Sequence, residues 1–323
     1  MIDPKGVTAL ISRREFLGTS LGAAGALALT PEPLRALQKS GGQLIQRAIP
    51  SSGEMLPVIG VQFGNSSSLD PAALKEVART LIDNGGRFLD TMHQSLPGVE
   101  DLTATVVTEL GIQGKLFLGL RALPSGPPQP GAATPKAKVE ALLATFKVPK
   151  IDLLQLPAQA DPAQFPVLQD MKKEGRVRYV GTTVIVKQLY PQLEALMRNE
   201  PIDFIGVDYS MDNRSAEEKI LPLAQERKIG VVSYFPFSTG TLFQRASTMP
   251  LPDWAAEIDA RTWAQFFLKY VVSNPAVTVV RAGTTQAKHM LDNVGGGIGR
   301  LPDEATRKRM AAVVDALPGR AWK

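Results

Sequence analysis

From residue 43 onward the chain alternates two kinds of segment. Short apolar, β-branched runs read as strands, and longer stretches with apolar positions every three or four residues read as amphipathic helices. Eight runs qualify as strands: VIGVQFG (58–64), RFLDT (87–91), KLFLGLR (115–121), IDLLQL (151–156), RYVGTT (178–183), DFIGVDYS (203–210), GVVSYFPF (230–237) and VTVVRAG (277–283). Between them lie helical stretches such as PAALKEVARTLIDNG, KAKVEALLATFK, KQLYPQLEALMRNE, SAEEKILPLAQERK and RTWAQFFLKYVVSN. Several open on Asp, Ser or Pro and close near Gly or Asn, as helix caps require. Strands that alternate with helices run parallel, because each βα unit returns the chain to the same end. Eight such units predict an α/β fold, a closed (β/α)8 TIM barrel. Ahead of them, LIQRAIPSSGEMLPVIG reads as two short strands around a Ser-Ser-Gly turn, an N-terminal β-hairpin. The segments 124–135 and 238–260 read as loops after the third and seventh barrel strands.

The first residues follow a different pattern. Ser12-Arg13-Arg14-Glu15-Phe16-Leu17 leads directly into LGTSLGAAGALAL. Paired arginines before a mildly apolar run resemble a twin-arginine export signal, with Ala26-Leu27-Ala28 as a cleavage pattern. The bland alternative is a basic N-terminal helix. The run is too short and too rich in Gly and Ala for a bilayer span. The predicted organisation is a signal peptide over 1–28, a linker over 29–42 and the barrel over 43–323, with a periplasmic or otherwise exported location, membrane-associated or free.

Composition narrows the chemistry. The chain is 44% hydrophobic and carries a net charge of +5 without a block of like charges, so its basic excess is dispersed. A nucleic-acid groove would cluster Lys and Arg with aromatics between them, and that pattern is absent. With no cysteine and two histidines, disulfides, iron–sulfur clusters and metal sites are not expected.

In such a barrel, functional groups gather at the C-terminal ends of the strands. The residues there, taken with IDLLQLP, GRVRYVGTT, IDFIGVDYS, EEKILPLAQERKIGVVSYFPF and KYVVSNPAVTVVRAGTTQAKHMLDN, resemble the aldo/keto reductases over nearly the whole mature chain. The resemblance implies NAD(P)H-dependent reduction of small carbonyl or sugar substrates, in which a tyrosine, aided by Asp, Lys and His, protonates the forming alkoxide. Asp90 matches the aspartate. Ser95, or a neighbour, stands where the tyrosine would be, Arg121 where the lysine would be, and Pro157 at the histidine. His93 reads as a substitute proton donor or as a solvent-facing loop residue. A guanidinium does not tune its pKa as lysine can, so Asp90 and Arg121 predict an ion pair, structural or catalytic.

For the cofactor, the resemblance implies NADP(H). Thr183, Val184 and Gly206 match the Ser, Asn and Gln that hold the nicotinamide carboxamide. Tyr234 matches the stacking aromatic and reads equally as packing at the barrel mouth. At the adenosine end stand Gly283, Thr284, Thr285, His289, Asp292 and Asn293, with Thr285 at the position of a phosphate-binding arginine. Arg281 is a substitute cation, and the helix N-terminus beyond Gly283 offers N–H groups to a phosphate.

Two function classes follow. One is an exported oxidoreductase using NADP(H) on a small molecule at the barrel mouth. The other is a non-catalytic barrel, a pseudoenzyme serving as a binding module or an accessory subunit for a protein partner in a periplasmic or membrane-associated assembly.

Overall fold

The computed structural model describes residues 42–63, 69–91, 99–121 and 134–319. The signal-like segment and linker through residue 41 lie outside these, as do the loop with His93 and Ser95 and most of 124–135. A two-stranded antiparallel hairpin, β1 (Gln46–Ala48) and β2 (Met55–Pro57), precedes eight parallel strands. These are β3 (Ile59–Gln62), β4 (Phe88–Asp90), β5 (Phe117–Leu120), β6 (Ile151–Pro157), β7 (Val177–Val184), β8 (Phe204–Asp208), β9 (Gly230–Tyr234) and β10 (Val279–Gly283). They close into a barrel in chain order, with β10 pairing β3. The predicted (β/α)8 barrel with an N-terminal hairpin is therefore the observed fold.

Helices α1 (Pro71–Asp83), α2 (Val99–Glu109), α3 (Pro135–Phe146), α4 (Gln164–Lys173), α5 (Tyr190–Asn199), α6 (Ile220–Glu226), α7 (Thr241–Ala246), α8 (Trp263–Ser273), α9 (Ala287–Gly295) and α10 (Glu304–Asp315) surround it. Several starts are written in the sequence. Asp70 and Thr134 accept from the N–H groups of Ala72 and Ala137, each just ahead of a proline at the first helical position, and Thr262 caps α8 through Gln265 N–H.

Successive strand residues face opposite sides, which divides the apolar side chains into two cores. Leu89, Leu118, Leu154, Val180, Ile205, Val231 and Val280 pack outward beneath the helices. Phe88, Phe117, Leu153, Tyr179, Phe204, Val232, Tyr234 and Val279 fill the barrel interior with Ile49 and Leu56 of the hairpin. The interior rings form a continuous series, Phe88 to Phe117 at 5.8 Å, Phe117 to Tyr179 at 5.7 Å and Tyr179 to Phe204 at 5.6 Å between centroids. Large rings fit because their neighbours are small. A Cβ at Gly230 would sit 2.6 Å from the Phe204 ring, and one at Gly60 2.5 Å from that of Phe88.

The hairpin closes the floor. The Tyr179 hydroxyl donates to Glu54 and lies within hydrogen-bond distance of the Ser52 hydroxyl, each at 2.8 Å, and Arg178 bridges Glu54 and Asp152. With the floor plugged, the C-terminal strand ends at the other face are the open end of the barrel.

Candidate active site at the barrel mouth

Four residues singled out from the sequence converge here. Asp90 ends β4, Arg121 follows β5, Tyr234 ends β9 and Arg281 lies on β10, and all four are buried. Both arginines donate to the same carboxylate oxygen. Arg281 Nη1 lies 2.9 Å and Arg121 Nη2 3.3 Å from Asp90 Oδ2. The other oxygen, Oδ1, has no hydrogen-bond partner among the described residues and packs where a side chain at residue 119 would stand, 2.9 Å from an ideal Cβ on Gly119.

Among the described residues, two guanidiniums against one carboxylate give the cluster one excess positive charge in a nearly water-free place. Burying charge that is not fully compensated is costly. Part of the cost is offset by the Tyr234 ring, over which the Arg281 and Arg121 guanidinium carbons sit at 4.0 and 4.4 Å from the centroid. Burial pushes the Tyr234 phenol above its ordinary pKa while the two cations pull the other way, and the upward effect wins. Its hydroxyl donates to Gln155 Oε1 at 2.9 Å.

Tyr234 fits only because residue 206 on the neighbouring β8 has no side chain. A Cβ there would come within 2.4 Å of a ring carbon and 2.7 Å of the hydroxyl oxygen. Glycine at 206 and the Tyr234 ring therefore share one volume. Gln155, fully buried with its amide nitrogen unpartnered among the described residues, was not singled out from the sequence. Its signal was there: it stands two residues before Pro157, on the inward alternation of β6.

Beside this cluster a cavity of about 220 Å3 opens between the ends of β9 and β10, lined by Gln62, Phe235, Phe237, Arg281, Thr284 and Thr285 among others. Gly283 also borders it, and no carboxylate stands among its described lining residues. The N-cap of α9, Gln286, makes no side-chain cap bond. The first amides of that helix, at Ala287 and Lys288, are thus the donors a helix offers to an anion.

The β9–α7 wall of the cavity is built on three non-glycine residues in the left-handed region, Phe235 (φ 50°), Ser238 (φ 49°) and Thr239 (φ 54°). Such strain persists only where contacts over-determine it. Here Ser238 Oγ hydrogen-bonds Asp212, lies 2.8 Å from Ser210 Oγ and is wholly buried, while Arg245 faces Asp212 at 3.5 Å. The sharp turn at Phe235 also explains why β9 stops at Tyr234, short of the predicted 230–237. The predicted loop over 238–260 contains α7 and a 3-10 turn over Asp253–Ile258.

Asp208, at the end of β8, is a further buried acid that sequence reasoning passed over. Burial, aided by the charge of Asp212, pushes it up to about 7 against the opposing hydrogen bond that Asn213 donates at 2.8 Å. The remaining predicted residues stand apart. Thr183 lies across the mouth on β7, paired in register with Pro157 and Gly206. Asn293 is buried on α9, its amide nitrogen unpartnered among the described residues, and does not line the cavity.

Comparison with known proteins places these features in a family. The model described as the aldo/keto reductase family matches residues 59–308. An uncharacterized oxidoreductase of Schizosaccharomyces pombe is 26% identical over 166 residues, covering 50% of this chain and 52% of that protein. A probable aldo-keto reductase of Glycine max is 24% identical over 172 residues, covering 45% and 49%. The matches thus span about half the length of these curated relatives. An aldo-keto reductase from Bacillus halodurans in its holo form superposes with a TM-score of 0.67 at 20% identity, covering 87% of this chain and 100% of that one. One from Klebsiella pneumoniae in complex with NADPH superposes at 0.65 and 20% identity, covering 86% and 98%. With a family match running from the first barrel strand into the last helix, the chain belongs to the aldo/keto reductase family.

Proposed function

We propose that the chain is an NADP(H)-dependent oxidoreductase acting on small carbonyl or sugar substrates, exported through the twin-arginine route. The observation that carries this reading is the cavity at the ends of β9 and β10, with a guanidinium wall, threonine hydroxyls and the start of α9, and no carboxylate among its described lining residues. These residues fit the phosphate-bearing end of a dinucleotide. Arg281, Thr284, Thr285 and the first amides of α9 would hold it. When bound, NADP(H) supplies hydride.

The chain's own residues then have definable tasks. Arg121 and Arg281 bring a net positive field to the mouth, which favours negative charge developing on a carbonyl oxygen. Asp90 fixes both guanidiniums through one oxygen. Tyr234 keeps its proton for Gln155 and is sealed from solvent. The proton for the product therefore comes from another group, and His93 and Ser95, beyond Asp90 in the chain, are the candidates.

A second reading, the non-catalytic barrel, draws on one observation. Both guanidiniums lie over the Tyr234 ring, the face that family resemblance assigns to nicotinamide. Titration of the mature protein with NADPH, followed by nucleotide fluorescence, and a panel of small aldehydes and ketones separate the two. The oxidoreductase binds NADPH and consumes it with at least one carbonyl. Binding without turnover across the panel supports the non-catalytic barrel, and absence of binding at millimolar NADPH removes the dinucleotide reading altogether.

A further inference from the structure

We propose that Ser238, Asp212 and Arg245 are positioning residues of the dinucleotide cavity, holding the turn that forms one of its walls against the carbonyl end of α10. This rests on the reading of the cavity as a dinucleotide site, and it assigns part of that site to side chains outside its described lining.

The turn after β9 supplies Phe235, Pro236, Phe237, Thr239 and Gly240 to the cavity wall. Ser238 stands among them in sequence but not in the described lining, and it is wholly buried. Its hydroxyl donates to Asp212 Oδ1 and lies 2.8 Å from Ser210 Oγ, which donates to the same oxygen at 2.9 Å. The other oxygen, Oδ2, faces Arg245 Nη1 at 3.5 Å, with both side chains nearly sealed from solvent. Arg245 in turn donates Nη2 to the carbonyls of Val314 and Leu317 at 2.9 and 3.1 Å, and Nε to that of Pro318 at 3.2 Å. Carbonyls at a helix C-terminus lack intrahelical partners and attract a cation.

The wall needs such support. Ser238 and Thr239 are consecutive non-glycine residues in the left-handed region, a conformation that is costly for both. The series from α10 through Arg245 and Asp212 to Ser238 supplies the contacts that hold it. Arg245 and Asp212 are a buried pair of opposite charge, so each fixes the other and neither is dispensable alone. A wall pre-set in this way lets a ligand bind without first ordering the turn.

The test titrates NADPH, followed by nucleotide fluorescence, into the wild type, Ser238→Ala, Asp212→Asn and their double variant, with circular dichroism to confirm folding. Glu54→Gln, on the floor at the opposite end of the barrel, is the control that loosens the fold away from the turn. A turn that holds its competent form about a tenth of the time binds roughly tenfold more weakly, and a loss of that size is expected for Ser238→Ala. Asp212→Asn should weaken binding as well, and the double variant by less than the product of the two factors, because both act through one turn. Glu54→Gln should bind as the wild type does. With any carbonyl that is turned over, the loss should fall on the KM for NADPH and leave kcat level.

Wild-type affinity in Ser238→Ala overturns the proposal. So do a double variant whose losses multiply in full, a control that weakens as much as the alanine variant, and a loss confined to kcat. If Asp212→Asn does not fold, Arg245→Lys takes its place with the same expectations, since an ammonium cannot reach three carbonyls and Asp212 as the guanidinium fork does. A wild type that does not bind NADPH refutes the dinucleotide reading and the positioning role with it. A wild type that binds, with Ser238→Ala equal to it, refutes the positioning role alone.

Discussion

Gly206 and Tyr234 show how single residues set the character of the mouth. An ideal Cβ on residue 206 would lie 2.4 Å from the tyrosine ring, well inside contact distance, and the ring is fixed by Gln155 and two guanidiniums. Gly206→Ala is therefore an overpacking change, expected to destabilise by about 1–3 kcal/mol in urea denaturation. An alanine variant as stable as wild type would show that the ring is free to move.

Asp208 gives a pH prediction of definite sign. Its folded pKa is raised to about 7 from its ordinary value of 3.8, so between these values the folded chain holds a proton that the unfolded chain has released. Stability from this group is complete below about pH 4, declines as pH rises through that window, and is level above 7. Asp208→Asn removes the titration and leaves a neutral side chain of the same shape. The stability difference, variant minus wild type, should grow by a few kcal/mol from pH 4.5 to pH 7.5 and then flatten. A difference independent of pH would mean that the acid is ionised throughout. The residue-scale signals visible in the sequence were Asp90 and Arg121, each at the end of a strand-like run. Gln155 and Asp208 were missed because a polar residue inside a strand announces its direction only by counting along the alternation.

At the scale of elements, the two ends of the barrel are built differently. The floor is the β1–β2 hairpin, tied to β7 by Glu54, which accepts from both Arg178 and Tyr179. Glu54→Gln keeps the shape and removes the charge. It should cost about 1.5–3 kcal/mol, the usual range for hydrogen bonds to a charged group, read as a lower denaturation midpoint with unchanged slope. A loss below a few tenths would show that the hairpin is held without the Glu54 charge. The mouth is made of loops, and there element boundaries deviated most from the sequence pattern. Helices α1 and α3 were legible because Asp70 and Thr134 each sit before a proline with an apolar period behind. Helix α7 was not: TLFQRA is under two turns long, too short for a period to emerge, and it exists because the Ser238–Asp212 contacts hold the turn before it.

For the whole molecule, closure of the barrel depends on β10 pairing β3, strands from opposite ends of the domain. Such long-range pairing completes only when nearly all of the chain is available. A protein of this kind suits a route that exports folded cargo, which is the physical appeal of the twin-arginine export proposed for Arg13-Arg14. Replacing both with lysine should leave the protein folded and retained in the cytoplasm, as judged by fractionation of cells expressing it. Export undiminished by the double substitution would remove the twin-arginine reading. The sequence alone determined the order of the strands, their parallel course and the closed barrel, because alternation and caps are local features repeated along the chain, and the family followed from the resemblance of whole segments. Tertiary structure alone decided that Arg281 shares Asp90 with Arg121, that Tyr234 takes the space freed by Gly206, and that the cavity lies between β9 and β10. Those facts concern side chains up to 191 residues apart, whose meeting depends on barrel register and on rings competing for one interior volume. No local pattern in the chain encodes that competition.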